Sequence, residues 1–245
     1  MLRLILDFGN TLFKAAVFDQ QKLIHKFFGD QLQVEDLVRV KNDFPKLNKV
    51  IYSSVIDLDS KLKDFLYNEF NTIELTHKTQ LPIQNKYQTP ETLGKDRLAA
   101  AVGAAQLYPD KNLLIIDAGS SITYEIVTGN VYLGGAISPG IAMRFKALHQ
   151  FTGKLPLVNA PSKQVEFLGV NTEEAILSGV MHGIFMEVDG IISHYKKIYP
   201  DLFVIITGGD LKHFDKNLKN NIFAAENLVL QGLNFILEYN DNKST

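Results

Sequence analysis

Two segments of the chain, 110 residues apart, repeat the same pattern of residue types. Residues 4–17 read LILDFGNTLFKAAV and residues 114–127 read LIIDAGSSITYEIV. Each is an apolar run, then Asp-x-Gly, two small polar residues and a second apolar run, which predicts a β-hairpin because glycine permits turn conformations closed to other residues. A single copy could be turn chemistry alone. Two copies, each opening one half of the chain, favour two similar lobes facing each other across a cleft.

The rest of the chain alternates predicted strands and helices, which indicates an α/β fold. The predicted strands cover residues 49–55 and 202–206, and the predicted helices cover about 96–107, 172–197 and 226–239. A polar turn at residues 109–112 is the natural boundary between the two halves. We therefore expect an N-terminal lobe at residues 1–110 and a C-terminal lobe at residues 111–245.

The composition argues against several classes of protein. With 25 basic and 27 acidic side chains the net charge is −2, so no basic excess points to nucleic acid. The absence of cysteine excludes disulfides, a thiol nucleophile and zinc–thiolate sites. A carboxylate at Asp7 interrupts any signal sequence, and no later run of about 18–20 apolar residues suggests a membrane span. We expect a soluble cytoplasmic protein with no membrane or nucleic-acid partner.

The first hairpin carries groups suited to phosphoryl transfer, which needs a metal near the β- and γ-phosphates, donors for phosphate oxygens and an in-line nucleophile. Asp7 could hold Mg²⁺ through water, because Mg²⁺ gives up its hydration reluctantly. The backbone N–H groups of residues 9–11 could form an anion-binding nest. Lys14 could reach a phosphate as a point charge, although on spacing alone a solvated strand lysine is the simpler interpretation.

A second candidate site is the sequence Gly94-Lys95-Asp96-Arg97 at the start of a predicted helix. Asp96 could accept the proton of an attacking hydroxyl. Arg97 could hold a substrate carboxylate with two parallel hydrogen bonds. Taken alone, a helix-terminal carboxylate beside a surface arginine is the commoner explanation.

The second hairpin could complete the site. Asp117 could bind a cation and Ser120 could donate to a phosphate oxygen, while Thr207-Gly208-Gly209 would let the backbone approach a nucleotide, although two adjacent glycines are a weak signal. The histidines show no metal-binding spacing, and no GxxxxGK[ST] motif of P-loop kinases occurs.

Seven segments, in this order, resemble the type III pantothenate kinases, a family of the actin, sugar kinase and Hsp70-like superfamily. The segments are DFGNTLFK at 7–14, SSV at 53–55, LGKDR at 93–97, DAGSSIT at 117–123, YLGGAISPGI at 132–141, NTEEAILSG at 171–179 and TGG at 207–209. Each one is weak alone, but the ordered series is specific and spans nearly the whole chain.

The resemblance implies a two-lobed actin-like (ribonuclease H-like) ATPase fold, in which each lobe is a mixed sheet opening with a β-hairpin and flanked by helices. It implies ATP-dependent phosphorylation of pantothenate to 4′-phosphopantothenate, the first step of coenzyme A biosynthesis, with residues 1–110 as a nucleotide-binding lobe. It also implies a homodimer, paired through the lobe at residues 111–245.

The resemblance also implies roles for individual residues. Asp96 would be the general base, and Asp117 would hold a monovalent cation, K⁺ or NH₄⁺. ATP with Mg²⁺ would be bound by Asp7, Phe8, Gly9, Asn10, Thr11, Leu12, Phe13, Lys14 and Ser120. Pantothenate would be bound by Tyr87, Gly94, Lys95, Asp96, Arg97 and Thr172.

Two residues depart from the family pattern: Ser120 stands for its usual Thr and Ser121 for its usual Ala. The first change keeps the hydroxyl, and the second adds a polar atom near the cation site. Two other functions stay open, another small-molecule kinase of the superfamily and a non-catalytic regulatory protein of the same fold. The retention of Asp7, Asp96 and Asp117 counts against the regulatory protein.

Overall fold

The computed structural model describes residues 1–161, 163–214 and 217–243. The strands are β1 Leu2–Phe8, β2 Phe13–Asp19, β3 Lys22–Gly29, β4 Lys49–Ser54, β5 Asn71–Glu74, β6 Gln84–Asn85, β7 Leu113–Ala118, β8 Ser121–Thr128, β9 Val131–Pro139, β10 Phe203–Thr207 and β11 Phe223–Ala224. The helices are α1 Val34–Asp43, α2 Ser60–Glu69, α3 Lys95–Leu107, α4 Ile141–Gln150, α5 Thr172–Ile198, α6 Leu211–Phe214 and α7 Leu228–Asp241.

The chain forms two compact units, and the first contains Met1–Asp110, Val127–Leu133 and the segment from Asn227. Its sheet has the strand order β3-β2-β1-β4-β5, in which β1 is antiparallel to β2 and parallel to β4. Leu4 and Leu6 cluster with Leu37 of α1 and Leu62 of α2, whereas α7 contacts β1 and β4. Because successive strand residues point to opposite faces, helices cover this sheet on both sides.

Helices α3 and α7 of the first unit cross with their backbones in contact. A Cβ atom on Gly232 would lie 1.8 Å from the carbonyl oxygen of Ala99, and one on Gly103 would lie 2.6 Å from that of Leu228. Two glycines and the alanine-rich body of α3 therefore permit an approach that larger residues would prevent. This contact holds α3, whose first turn carries Asp96.

The second unit contains Lys111–Ile126 and Gly134–Glu226. The second sheet has the order β11-β10-β7-β8-β9-β6, with β10 parallel to both β7 and β11. The tip of the β8–β9 hairpin, Val127–Leu133, belongs to the first unit, where β6 pairs with it.

Both predicted hairpins are present, as β1–β2 and β7–β8, and each opens its sheet. Their turns differ, because the Gly9 N–H donates to the Leu12 carbonyl whereas the Gly119 N–H donates to that of Ser121. The repeat therefore holds for the strands and the Asp-x-Gly element but not for the turn that follows. The predicted division into lobes between residues 110 and 111 stays a prediction. The two compact units are divided differently, because residues 127–133 and α7 belong to the first of them.

Helix α5 corrects the expectation that no stretch resembles a membrane span, since it is long and apolar enough by length and composition to cross a membrane. Small residues and few charges give it this character. Its buried residues include Ile184 and Val188, which lie in the core of the second unit. Its acids Glu187 and Asp189 have protein partners in that unit. These contacts place part of α5 in the core of the second unit.

Candidate active site

Asp7 lies at the carboxyl end of β1, between two strands that each place a polar side chain beside it. In the sheet register Asp7 pairs with Lys14 of β2 on one side and with Ser53 of β4 on the other. The buried Ser53 hydroxyl donates a hydrogen bond of 2.6 Å to Asp7 Oδ1. The first hairpin and the predicted SSV strand end therefore form one row of side chains across three strands.

The environment of Asp7 disfavours its negative charge. Burial raises the pKa of this carboxyl group, and the nearby Asp96 carboxylate raises it further, while the Ser53 hydrogen bond and Lys14 oppose the increase. Two acids that repel each other beside one lysine are an arrangement that a bound cation would stabilise. Asp7 and Asp96 are thus close enough to interact, although they are far apart in sequence.

The described residues contain no cluster of three or more acidic, histidine or cysteine side chains suited to a metal. Mg²⁺ in phosphoryl-transfer sites is commonly held by one or two carboxylates, with phosphates and water as its other ligands. The partly buried carboxylate of Asp7 fits that kind of binding.

The predicted nucleotide-binding segment 7–14 contributes in two different ways. The rings of Phe8 and Phe13 are buried in the core of the first unit. Asn10, Thr11 and Leu12 are exposed in the turn. The aromatic residues thus fix the two strand ends, and the exposed turn presents its backbone to any ligand.

The first turn of α3 folds the Asp96 side chain back over the end of the helix. Asp96 Oδ1 accepts a hydrogen bond of 2.8 Å from the Arg97 backbone N–H, one of the donors that a helix leaves without an intrahelical partner. Gly94 is the residue before the helix, and a Cβ there would lie 2.6 Å from Asp96 Oδ1. A side chain at position 94 would therefore displace the Asp96 carboxylate from this position.

Arg97 is buried, so the interpretation as a surface arginine is wrong. Its guanidinium lies over the ring of Tyr87, 5.6 Å from the ring centre, and Tyr87 stacks on the fully buried Tyr132. Two of the predicted pantothenate-binding residues are therefore in contact. Lys95, in the same first turn, is half-buried.

In the second unit, Asp117 lies next to the turn that contains Gly208. Asp117 pairs with Thr207 in the parallel β7–β10 ladder. Gly208 has a φ of +100°, and a Cβ there would lie 2.5 Å from Asp117 Oδ1 and 2.2 Å from the Ala118 carbonyl oxygen. The left-handed conformation and the close approach both require glycine. The predicted Thr-Gly-Gly element thus contacts the Asp-x-Gly element directly.

The segment Ser138–Gly140 contacts the turn at Gly119 and Ser120, which follows Asp117 in the chain. The Gly140 N–H donates a hydrogen bond of 3.2 Å to the Ser120 carbonyl oxygen. A Cβ on Gly140 would lie 2.1 Å from the Gly119 carbonyl oxygen. Residue Ser120 is exposed. Three predicted motifs, around Asp117, Gly140 and Gly208, therefore meet within the second unit.

Thr172 is the exposed first residue of α5, and Asn171 caps the helix through a hydrogen bond from the Glu174 N–H. Thr172 lines a cavity of about 850 Å³ between α4 and α5, together with Arg144, Phe151 and Ile176. It is the predicted pantothenate-binding residue that belongs to the second unit.

Sequence reasoning gave no role to three features of these units. Ser53 was noted only as part of a motif, and the strand pairing with Asp7 would have identified it. Asp210 directly follows the Thr-Gly-Gly element, and burial raises the pKa of its carboxyl group against the opposing effect of His213 and Lys212. The third feature is the set of hydrogen bonds that the Arg144 side chain donates to Ser138, Pro139 and Glu187.

A family model described as type III pantothenate kinase matches residues 3–194. The chain belongs to the type III pantothenate kinase family. A type III pantothenate kinase of Christiangramia forsetii is 47% identical over 241 residues, which are 98% of this chain and 99% of the relative. One from Phocaeicola vulgatus is 46% identical over 242 residues, with the same two coverages.

Solved structures confirm the predicted fold class, that of actin-like ATPases and sugar kinases. A Campylobacter jejuni protein named for the Baf family of transcriptional activators is 27% identical, with a TM-score of 0.60 over 98% of this chain and 99% of that one. The activator of 2-hydroxyisocaproyl-CoA dehydratase from Clostridium difficile, solved with bound ADPNP, has a TM-score of 0.55 at 13% identity and covers 100% of this chain and 97% of its own. At this identity the second similarity concerns the fold alone.

Proposed function

We propose that this protein transfers the γ-phosphoryl group of ATP to the primary hydroxyl of pantothenate. The product is 4′-phosphopantothenate, and the reaction begins coenzyme A biosynthesis. The observation that carries this proposal is the near full-length identity of 45–47% to type III pantothenate kinases of several bacteria. The interacting pair Asp7 and Asp96 supports it, because each has the chemistry that the reaction needs.

Asp96 is the proposed general base. It orients the hydroxyl toward the γ-phosphorus and takes its proton as the new O–P bond forms and the bond to the β–γ bridging oxygen breaks. A carboxylate is a weak base toward an alcohol, so most of its effect is positioning. The hydrogen bond from the Arg97 N–H supports this role, because it fixes the direction of the carboxylate.

ATP binding is assigned to residues 7–14 and Ser120. Asp7 would hold Mg²⁺ through water, Lys14 would contact a phosphate, and the exposed turn at residues 9–12 would offer N–H groups to phosphate oxygens. Bound Mg²⁺ supplies charge neutralisation for the transferred group.

Pantothenate binding is assigned to Tyr87, Gly94, Lys95, Arg97 and Thr172. The cation–π contact with Tyr87 supports a fixed guanidinium that could hold the substrate carboxylate. Replacement of Arg97 by Ala should raise the KM for pantothenate far more than the KM for ATP. An unchanged KM for pantothenate would refute this role.

A monovalent cation, K⁺ or NH₄⁺, is assigned to Asp117. Asp117 lies near the end of β7 beside the Gly208 turn, where its Oδ1 and the Ala118 carbonyl oxygen are both close to Gly208, and oxygen atoms are the ligands such ions prefer. The partner is a second copy of the chain, and the exposed apolar residues of the second unit support this homodimer. The cytoplasm is the proposed location.

A coupled ADP-release assay tests the reaction directly. Purified protein is given Mg²⁺-ATP and pantothenate, with K⁺ added or replaced by Na⁺, and a panel of sugars and hydroxy acids serves as the control for acceptor choice. We expect ADP release with pantothenate, and more of it with K⁺. Equal release with other acceptors would favour another small-molecule kinase of the superfamily.

The regulatory alternative is favoured by one observation, the similarity to the Campylobacter jejuni protein named for transcriptional activators. Absence of ADP release under every condition of the assay, from protein that still binds an ATP analogue, would support it.

A further inference from the structure

Arg144 of α4 is the centre of a polar network in the second unit. Its Nη2 donates hydrogen bonds to Ser138 Oγ at 3.0 Å and to Glu187 Oε2 at 2.5 Å. Its Nε donates to the Pro139 carbonyl oxygen at 2.9 Å. One guanidinium group therefore holds two consecutive residues at the end of β9 and one acid of α5.

Glu187 is itself fixed from a second direction. The hydroxyl of Tyr124, a fully buried residue of β8, donates to Glu187 Oε1 at 3.1 Å. Burial alone would raise the pKa of Glu187, but hydrogen bonds from Arg144 and Ser138 outweigh burial and lower it. The carboxylate is therefore ionised at neutral pH and forms a charge-assisted pair with Arg144. The pair is partly shielded from solvent, with 21% of the Arg144 side chain and 28% of the Glu187 side chain exposed.

The residues that Arg144 holds lead directly to Ser120. Gly140 follows Pro139, and its N–H donates to the Ser120 carbonyl oxygen at 3.2 Å. The Gly140 backbone also packs so closely against Gly119 and Ser120 that any side chain would collide with their carbonyl oxygens. At Gly140 there is no room for even one more carbon atom, so a movement of this residue toward the Ser120 turn would displace that turn.

We propose that Arg144 and Glu187 are positioning residues that set the place of the Ser120 turn and thereby the affinity for ATP. Arg144 does not contact ATP in this proposal; it acts through Ser138, Pro139 and Gly140. The inference rests on the proposed role of Ser120 in ATP binding. A misplacement of about 1 Å in such a group can cost about 100-fold in activity, so a three-bonded guanidinium is well suited to prevent it.

Calorimetric binding of a non-hydrolysable ATP analogue to the full chain tests the proposal. We expect Arg144→Ala to raise the Kd about tenfold and Arg144→Lys to restore only part of the loss, because lysine is a point charge without the planar fork. Glu187→Gln should weaken binding in the same direction. In Glu187→Gln the KM for pantothenate should change by less than about threefold, because Glu187 does not line the cavity that Arg144 shares with Thr172 and a selective effect on one substrate is expected of a role limited to its site.

A double-mutant cycle separates positioning from general loss of stability. If Arg144 acts through Ser120, the Arg144→Ala change should add little once Ser120→Ala is present, because coupled residues are not additive. Arg39→Ala removes an exposed arginine of α1 that pairs with Asp36, and serves as the matched control with unchanged affinity.

Circular dichroism and thermal melting establish whether each variant is folded. If Arg144→Ala does not fold, Arg144→Lys and Glu187→Gln still test the proposal. Unchanged analogue affinity in these variants, full additivity with Ser120→Ala, or a selective rise in the KM for pantothenate in Glu187→Gln would each overturn the proposal. If Ser120→Ala binds the analogue normally, the proposed ATP contact of Ser120 fails, and this inference fails with it. Absence of pantothenate turnover in the wild type would refute the proposed function alone, because analogue binding is still measured.

Discussion

At the scale of single residues, Asp7 illustrates a conflict between stability and the proposed chemistry. Its carboxylate is partly buried and lies near a second acid, and both effects raise its pKa. We expect Asp7→Asn to abolish turnover and yet to stabilise the protein free of ATP and Mg²⁺. Substitutions that relieve such a cost commonly add about 0.5–2 kcal/mol to the free energy of unfolding. Urea unfolding at pH 7 measures the effect.

The same residue predicts the pH dependence of that gain. An acid whose pKa is raised in the folded state stabilises the fold below its unfolded pKa, near 3.8, and this contribution is lost as the pH rises through the raised pKa. The advantage of Asp7→Asn should therefore be larger at pH 7 than at pH 4. An advantage independent of pH, or a variant less stable than the wild type at pH 7, would contradict this account.

Asp96 should affect turnover rather than nucleotide binding. We expect Asp96→Asn to lose at least ~100-fold in kcat, because general-base contributions are typically ~10²–10⁴-fold. The amide can still accept the Arg97 N–H, so the start of α3 should remain folded. Steady-state kinetics and titration with an ATP analogue measure the two properties. Asp64→Asn, at an exposed acid of α2, is the control, and near-normal turnover in Asp96→Asn would refute the role.

The sequence points to individual residues more readily than to their surroundings. Asp7, Asp96 and Asp117 each stand in a motif that predicts a chemical role, and those roles stay predictions. The contact of the buried Arg97 with Tyr87, which stacks on Tyr132, was missed, because Tyr87 and Tyr132 meet beside a β6–β9 pairing between segments about 45 residues apart that no periodicity reveals. Ser53 was missed as a partner of Asp7 for the same reason, since strand register is set by the folded sheet.

At the scale of elements, long periodic segments were predicted closely and short ones were not. The predicted helix over 172–197 is Thr172–Ile198 in the structure, and the predicted strand over 49–55 is Lys49–Ser54. The two-residue strands β6 and β11 were not predicted, because segments that short carry no pattern. Apolar periodicity shows which face of an element is buried, but not which element covers it.

The α3–α7 crossing predicts a large effect of one methyl group. In Gly232→Ala the new Cβ would lie 1.8 Å from the Ala99 carbonyl oxygen, so the two helices must separate. Overpacking typically costs ~1–3 kcal/mol and occasionally more, and we expect the upper end of that range because the obstacle is backbone. Thermal or urea unfolding measures the loss.

Gly190→Ala is the matched control for this prediction. Gly190 lies within α5, and apart from its neighbours in the chain and the backbone of its own helix, no heavy atom of the described residues lies within 4 Å of a Cβ placed there. Alanine favours helix over glycine by about 1 kcal/mol, so this variant should be as stable as the wild type or more so. Equal destabilisation by both substitutions would show that the close crossing is not the cause.

At the scale of the whole molecule, the proposed homodimer has a surface that suits it. Phe151, which lines the cavity beside Thr172, and Val170 are each 81% exposed, and Leu168 is 78% exposed. Exposed apolar surface of this kind is typical of interaction sites. We expect the wild type to sediment as a dimer at micromolar concentration and Phe151→Asp to sediment as a monomer.

Phe28→Asp is the control for that experiment, because Phe28 is a 68% exposed phenylalanine of β3 in the first unit. It should leave the dimer intact. A monomeric wild type, or a dimer that survives Phe151→Asp, would contradict the assignment of the interface to the second unit.

The division into compact units was the least predictable feature at this scale. The first unit combines residues 1–110 with the tip of the β8–β9 hairpin and with α7. Nothing in the composition of residues 127–133 or 227–243 distinguishes them from their neighbours in sequence. Their assignment follows from contacts, above all from the glycines that let α7 approach α3.

Because α7 completes the first unit, the order of synthesis and the order of completion are opposed. Strands β1, β2 and β4 leave the ribosome early, but the helix that contacts β1 and β4 is translated only after Glu226, the last residue of the second unit. The whole sequence of the second unit is therefore synthesised before that of the first unit is complete. During translation the nascent β1 and β4 lack this helical cover, which makes them natural targets for chaperones that bind exposed apolar chain.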